Sequence, residues 1–179
     1  MDIKKELLKE HSKRQTAKVV NYIGKDPKRF NLLIKIFLTG PYRVTQRAAW
    51  PLSYCVEAHP EIIKPHLKSV LKMLDKKDAH DAVKRNILRF LQTIEIPKRL
   101  YGIVADRCFT LMDTKEPIAV RVFAMTVLAN IAKQEPDLKK ELRIVIEDQL
   151  PYASAGFLAR ARRVLHQLSV NGYRDNFDD

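Results

Sequence analysis

Two similar stretches of sequence decide the fold. They are AVKRNILRFLQTI at residues 82–94 and AVRVFAMTVLANI at residues 119–131. The copies lie 37 positions apart, and the apolar positions of one fall on apolar positions of the other. Within each copy these positions recur at intervals of three and four, the period of an amphipathic helix rather than of a strand. The pattern predicts a helix that repeats along the chain.

The repeat extends beyond these two copies. A shift of 38 positions in the other direction places Arg47 on Arg85 and Trp50 on Leu88. Proline suits the first turn of a helix, where its missing amide hydrogen costs nothing, and it opens the second helix of successive units. These prolines are Pro60, Pro97 and Pro136. A period of this length with two helices per unit predicts stacked helical hairpins, because one hairpin cannot bury its apolar face alone.

The predicted fold class is all-α, as a right-handed α–α superhelix of about four to five helical hairpins. We expect one domain over residues 1–169 and a polar C-terminal tail at residues 170–179. The repeats are predicted near residues 12–39, 43–75, 80–113 and 117–150, with a terminal helix at 154–169. The predicted helices are 2–10, 12–24, 27–39, 43–58, 61–75, 80–95, 97–113, 117–134, 136–150 and 154–169.

Three segments resemble the consensus of the HEAT repeats, a family of armadillo-like α-solenoids. They read VTQRAAWPL at residues 44–52, HPEIIKPHL at 59–67 and LKML at 71–74. The chain is also similar to small uncharacterised bacterial HEAT-repeat proteins, and the resemblance covers roughly residues 40–168 and, in part, residues 12–39. It implies a solenoid whose second helices line a concave surface that binds partners. Function is not transferred with a fold.

Basic residues dominate the charged surface, because 33 lysines and arginines against 21 acidic residues give a net charge of +12. Such an excess favours an acidic partner. The candidate partner-binding residues on the predicted second helices are Lys64, Lys68, Lys72, Arg99 and Arg107. An alternative basic patch on the first helices comprises Lys84, Arg85, Arg89 and Arg121. A solvated face without a partner is the competing interpretation of both sets.

The sequence carries no recognised catalytic motif: Gly-x-Gly-x-x-Gly, the phosphate loop, His-Glu-x-x-His and Gly-x-Ser-x-Gly are absent. We therefore expect no enzyme, no cofactor and no metal site. The leading hypothesis is a non-enzymatic scaffold that binds a protein or peptide on its concave face. The alternative is a nucleic-acid-binding HEAT-like protein, conceivably related to DNA repair. A homodimer through the terminal helix is a third hypothesis, based on the apolar residues Leu158, Leu165 and Leu168.

Three remaining features bear on environment and on the core. Cys55 and Cys108 lie in apolar helical contexts and are predicted to be buried thiols in a reducing compartment. The chain has no apolar run of membrane-spanning length, and its first twenty residues lack a signal-peptide core, so we expect a cytoplasmic protein without membrane association. Trp50 follows the apolar stripe of its helix and is expected to pack in the core.

Overall fold

The structure of the protein is a computed structural model that describes residues 1–76 and 78–170. Within these residues the chain forms ten α-helices and no strand, so the all-α prediction is confirmed. The α-helices are α1 (Ile3–Lys9), α2 (Lys13–Ile23), α3 (Pro27–Thr39), α4 (Tyr42–Ala58), α5 (Leu67–Leu71), α6 (Asp81–Leu91), α7 (Tyr101–Thr110), α8 (Ile118–Ile131), α9 (Asp137–Gln149) and α10 (Ala155–Val170). Short 3-10 helices occur at Pro60–Ile63, Lys72–Asp75, Lys98–Leu100 and Leu150–Tyr152. The predicted polar tail lies outside the described residues from position 171 onward.

The chain forms two compact units, one over Met1–Pro97 and a second that begins at Lys98. The single domain over residues 1–169 stays a prediction. Among the described residues, no helix combines the length and the apolar character that a membrane span requires.

Local sequence explains where the first helices begin. Asp2 caps α1, Ser12 caps α2 and Asp26 caps α3, each by accepting hydrogen bonds from backbone amides of the first turn. Such caps satisfy amides that have no partner inside the helix, and each contributes about 1 kcal/mol. Pro27 then occupies the first position of α3, where its missing amide hydrogen costs nothing.

Helix α4 is the centre of the first unit and packs against α1, α2, α3 and α6. Its buried side repeats every four residues, and the fully buried side chains of α6 face the same core. These residues are Val44, Ala48, Leu52 and Val56 on α4, and Ile87, Leu88 and Phe90 on α6. Burial of each large apolar side chain contributes about 1.5–3 kcal/mol, which makes the α4–α6 contact a main source of stability in this unit.

A buried polar pair joins α4 to α6 inside this core. The Ser53 side chain is 0% exposed and Asn86 is 3% exposed. The Ser53 hydroxyl donates to Asn86 Oδ1 at 3.2 Å, and Asn86 Nδ2 donates to the carbonyl oxygen of Ala82 at 2.7 Å. Because every buried polar atom of the pair has a partner, the pair does not carry the cost of an unsatisfied group.

A buried carboxylate holds α1 against α2. Glu6 is 7% exposed, and its oxygens accept hydrogen bonds from the amines of Lys9 and Lys18 and from the amide of Gln15. The hydrogen bond from Lys9 is the largest cause that lowers the pKa of Glu6 to about 2, followed by those from Lys18 and Gln15. Glu6 is therefore ionised at neutral pH and fixes the N-terminal hairpin.

The continuous helix predicted over residues 61–75 is wrong. The segment is instead a 3-10 helix, a turn, the single-turn helix α5 and a second 3-10 helix. Pro65 explains the break, because it has no amide hydrogen and its ring clashes with the carbonyl four residues earlier. The backbone instead forms hydrogen bonds between residues three apart in the sequence. Lys64 N donates to Glu61 O at 3.3 Å, and His66 N donates to Ile63 O at 2.8 Å.

In the second unit, α8 packs against α7, α9 and α10. The side chain of Arg160 on α10 donates to Thr126 Oγ1 on α8 at 2.7 Å, and Phe157 of α10 is fully buried. Leu168 is buried, and Leu158 and Leu165 are half-buried. The apolar residues on which the homodimer hypothesis rests are thus largely covered within this unit.

Candidate partner-binding surfaces

The predicted lysines of the first unit share one exposed segment, which we call the lysine row: Lys64, Lys68 and Lys72. Lys64 lies in the turn before α5, Lys68 on α5, and Lys72 at the start of the following 3-10 helix. All three are exposed, and none makes an ion pair or a side-chain hydrogen bond with another described residue. These three positive charges are therefore not paired with an acidic residue in the part of the chain that the structure describes, although Glu61 lines the groove beside Lys64.

Two grooves flank the start of this segment. One, of about 400 Å³, is lined on one side by Asn31 of α3 and on the other by Pro65 and His66. The other, of about 250 Å³, includes Lys64 of the lysine row and Ile94 beyond α6. Glu61 lines both grooves. Their lining combines apolar side chains with a few polar groups, as ligand-binding pockets commonly do.

His66 fixes the wall of the larger groove. Its Nε2 lies 2.7 Å from Asn31 Oδ1, and its ring centroid lies 6.0 Å from that of Phe30. Burial lowers the pKa of His66, so the ring is neutral at neutral pH. A neutral ring that carries hydrogen on Nε2 donates to the Asn31 oxygen, which ties the segment after Pro65 to α3.

The remaining predicted partner-binding residues, Arg99 and Arg107, belong to the second unit. Arg99 is exposed on the 3-10 helix Lys98–Leu100. Arg107 is half-buried on α7, and its Nη1 donates to the carbonyl oxygen of Ile103 at 3.5 Å. Of this pair, Arg99 is the more accessible cation.

Most of the alternative basic patch is engaged within the protein. Arg89 Nε donates to Glu57 Oε1 at 2.8 Å. Arg121, in the second unit, donates to the Gln149 side chain and stacks over Phe157 at 4.6 Å from the ring centroid. Lys84 is half-buried, whereas Arg85 is exposed and has no ion pair or side-chain hydrogen bond with a described residue. Arg85 can therefore bind a ligand without first breaking an ion pair or a side-chain hydrogen bond to a described residue.

The expectation that Trp50 packs in the core is wrong, because its side chain is half-buried at the surface. The buried side of α4 runs through Ala48, Ala49 and Leu52, and Trp50 lies just past its edge. The signal was present in the sequence, because Arg47, Trp50 and Tyr54 are spaced by three and four residues and so form their own stripe. A stripe that combines aromatic with basic residues is typical of a protein surface rather than of a core.

Trp50 belongs to a surface group in the first unit that we call the aromatic–arginine cluster: His11, Arg47, Trp50, Tyr54, Arg85 and Arg89. The Trp50 ring centroid lies 5.5 Å from that of His11, with the planes inclined at 61°, and 6.3 Å from that of Tyr54. The Arg89 guanidinium lies 4.7 Å from the Tyr54 ring centroid. Arg47 donates to the carbonyl oxygens of Leu7 and Leu8 in the last turn of α1, at 3.1 and 2.9 Å.

The electrostatics of the cluster are positive. Burial is the largest cause that lowers the pKa of His11, and the charges of Arg47 and Arg85, together with His80, lower it further. Only the part of this pKa shift that the two arginines cause reports a positive local potential at the His11 ring. The cluster therefore favours anions over cations.

Nucleophiles and metal ligands do not assemble in the part of the chain that the structure describes. No group of three or more His, Cys, Asp or Glu side chains there is arranged to hold a metal ion. Cys55 and Cys108 are buried free thiols, as predicted. Burial raises the pKa of Cys55 to about 12 and also raises the pKa of Cys108, so both remain protonated and unreactive at neutral pH.

Helical hairpins whose apolar faces pack on their neighbours define the class of an α-helical repeat protein. A family model described as a HEAT repeat domain matches residues 3–168, and the chain therefore belongs to the HEAT repeat family, which confirms the resemblance seen in the sequence. HEAT repeats in general mediate protein interactions and scaffolding. No curated protein matches the sequence.

Proposed function

We propose that this protein is a non-enzymatic scaffold that binds an acidic segment of a partner protein along the lysine row and its two grooves. The observation that carries the proposal is the exposure of Lys64, Lys68 and Lys72, none of which is paired with an acidic residue within residues 1–76 and 78–170. Elsewhere in the first unit, cations such as Lys18 and Arg89 are paired with carboxylates. Uncompensated charge of one sign speeds the encounter with an oppositely charged partner and selects against like-charged ones.

The grooves favour an extended peptide over a small anion. Apolar side chains such as Ile63, Leu67 and Ile94 contribute to the smaller groove, and Pro27 and Ile62 contribute to the larger one. A partner segment that combines acidic with apolar residues satisfies both features, because its carboxylates meet the lysines while its apolar side chains leave water.

The test is a selection of random displayed peptides on the immobilised protein. We expect enrichment of peptides that alternate Asp or Glu with apolar residues. The triple variant Lys64→Glu, Lys68→Glu and Lys72→Glu should lose binding of the selected peptides by at least about tenfold, because three attractions become repulsions.

The matched control changes Lys115, Lys133 and Lys140 to Glu. These residues are exposed in the second unit, and the substitutions remove the same total charge. If both triple variants weaken the selected peptides equally, binding follows net charge and the lysine row is not the site. A selection without acidic enrichment contradicts the proposal directly.

The alternative, binding of nucleic acid, draws on a different surface. It is favoured by the half-buried Trp50 and the exposed Arg85 of the aromatic–arginine cluster, because His11 contacts the Trp50 ring and is within range of the Arg85 charge.

A further inference from the structure

Two adjacent helices of the first unit present aromatic rings and arginines together at one surface. On α4, Arg47, Trp50 and Tyr54 lie on one stripe, and on α6, Arg85 and Arg89 are one turn apart. We propose that the aromatic–arginine cluster binds an unpaired nucleotide, with the base stacked on the Trp50 ring and the phosphate held by Arg85. This site is separate from the lysine row and does not depend on the scaffold function.

The aromatic part of the cluster is suited to stacking. Trp50 is half-buried rather than buried, and its ring is held by contacts with His11 and Tyr54. A ring held in place loses little conformational freedom when a base stacks on it. Every nucleobase offers a π face, and such stacking is worth about 1–3 kcal/mol per base.

The cations of the cluster are all arginines, although lysines outnumber arginines in the chain as a whole. Arginine holds phosphate through a planar fork of donors and also stacks on aromatic rings, which lysine does not do. Arg47 and Arg89 are already fixed, one by α1 carbonyl oxygens and the other by Glu57. Arg47 supplies a positive field, whereas the charge of Arg89 is offset by the Glu57 carboxylate. Arg85 supplies donors that no described side chain or carbonyl occupies.

His11 provides an independent report on the site. Its ring contacts Trp50, and the charges of Arg47 and Arg85 help to lower its pKa. A phosphate bound to Arg85 neutralises one of those charges and adds a negative one nearby. Occupancy of the site should therefore raise the pKa of His11.

The geometry favours an unpaired nucleotide over a duplex. The faces of bases inside a duplex are covered by their neighbours, so only an unstacked base can reach Trp50. A free mononucleotide and an unpaired residue of a strand share this chemistry. The experiment must therefore compare the two sources.

The experiment uses the intrinsic fluorescence of Trp50, which is the only tryptophan in the chain. We would titrate the full-length protein with AMP, with a short single-stranded oligothymidylate and with a duplex of equal length. Quenching by the single strand or by AMP, but not by the duplex, is the expected result. Tighter binding of the strand than of AMP assigns the site to a strand, and equal affinity assigns it to the free nucleotide.

Arg85→Glu should weaken the quenching titration by at least about tenfold, because the phosphate loses its donors and meets a like charge. The matched control is Arg162→Glu, an exposed arginine of α10, which should change affinity by less than about twofold at moderate salt. Trp50→Leu should weaken binding of a fluorescently labelled strand by about tenfold or more. Circular dichroism shows whether each variant is folded.

Proton NMR of His11 completes the test. We expect its pKa to rise on saturation with the nucleotide in the wild-type protein and to change little in Arg85→Glu. The proposal is overturned if no nucleotide quenches Trp50, if Arg85→Glu and Arg162→Glu behave alike, or if duplex and single strand quench equally. The lysine-row triple variant should keep its quenching titration at high salt, which separates failure of this site from failure of the scaffold function.

Discussion

The buried pair of Ser53 and Asn86 between α4 and α6 predicts that loss of the serine hydroxyl destabilises the protein and that a second substitution, at Asn86, restores part of the stability. Packing alone does not predict this partial recovery. Replacing Ser53 with Ala leaves Asn86 Oδ1 without a donor, because Asn86 Nδ2 already faces the Ala82 carbonyl and fixes the amide orientation. An unsatisfied buried acceptor costs about 1–3 kcal/mol. We therefore expect Ser53→Ala to lower the free energy of unfolding by about 2 kcal/mol, despite the high helix propensity of alanine.

A second substitution should recover part of that loss. Asn86→Leu replaces the amide with an apolar group of similar shape and removes the orphaned acceptor. Alone it should cost less than about 1.5 kcal/mol, because the single Ser53 hydroxyl hydrogen can then turn fully to the Trp50 carbonyl oxygen, which lies 2.9 Å away. The double variant should be more stable than Ser53→Ala by at least about 1 kcal/mol.

The assay is urea-induced unfolding, followed by Trp50 fluorescence, which reports on the first unit, and by circular dichroism. Ser69→Ala is the matched control, since Ser69 is exposed on α5, and its effect should stay within about 0.5 kcal/mol. Strict additivity of Ser53→Ala and Asn86→Leu would refute the reasoning, because it would mean that the two side chains do not interact in the folded protein.

Three further predictions concern the pH dependence, the thiols and the glycines. The pKa of Glu6 is lowered from 4.5 to about 2, so its carboxylate stabilises the fold above pH 4.5 and this contribution is lost as the pH falls towards 2. The difference in free energy of unfolding between wild type and Glu6→Gln should therefore shrink on acidification. Cys55 and Cys108 should react with a disulfide reagent at pH 8 only as fast as the protein opens, and a burst before unfolding would contradict their burial. Gly40→Ala should destabilise by about 1–3 kcal/mol, because its Cβ would lie 2.5 Å from a backbone carbonyl oxygen. Gly102→Ala on α7, where a Cβ meets nothing within 4 Å, should stabilise by about 0.5–1 kcal/mol, and thermal melts of both variants test this opposition of sign.

Helix positions were predictable because they depend on local chemistry. The apolar period, the prolines at helix starts and the caps act within a few residues, so the predicted helices 27–39 and 136–150 lie within two residues of α3 and α9 at each end. The prediction is wrong over residues 61–75, because the apolar period continues through Pro65 although a helical backbone does not. The prediction that Trp50 is buried is also wrong. An aromatic residue at the edge of an apolar stripe fits the same helical period whether it is buried or exposed.

The sequence by itself determined that the chain is a helical repeat protein, because burial of one helix face and the backbone limits of proline are read directly from spacing. Only the tertiary structure decided which cations are available. Arg85 and Arg89 look alike in the sequence, but Arg89 meets Glu57, which lies 32 positions away on the neighbouring helix. Arg160 likewise meets Thr126 from the preceding repeat. Both contacts join helices that lie far apart in the sequence, so they depend on how the helices stack rather than on the residues that adjoin in the chain.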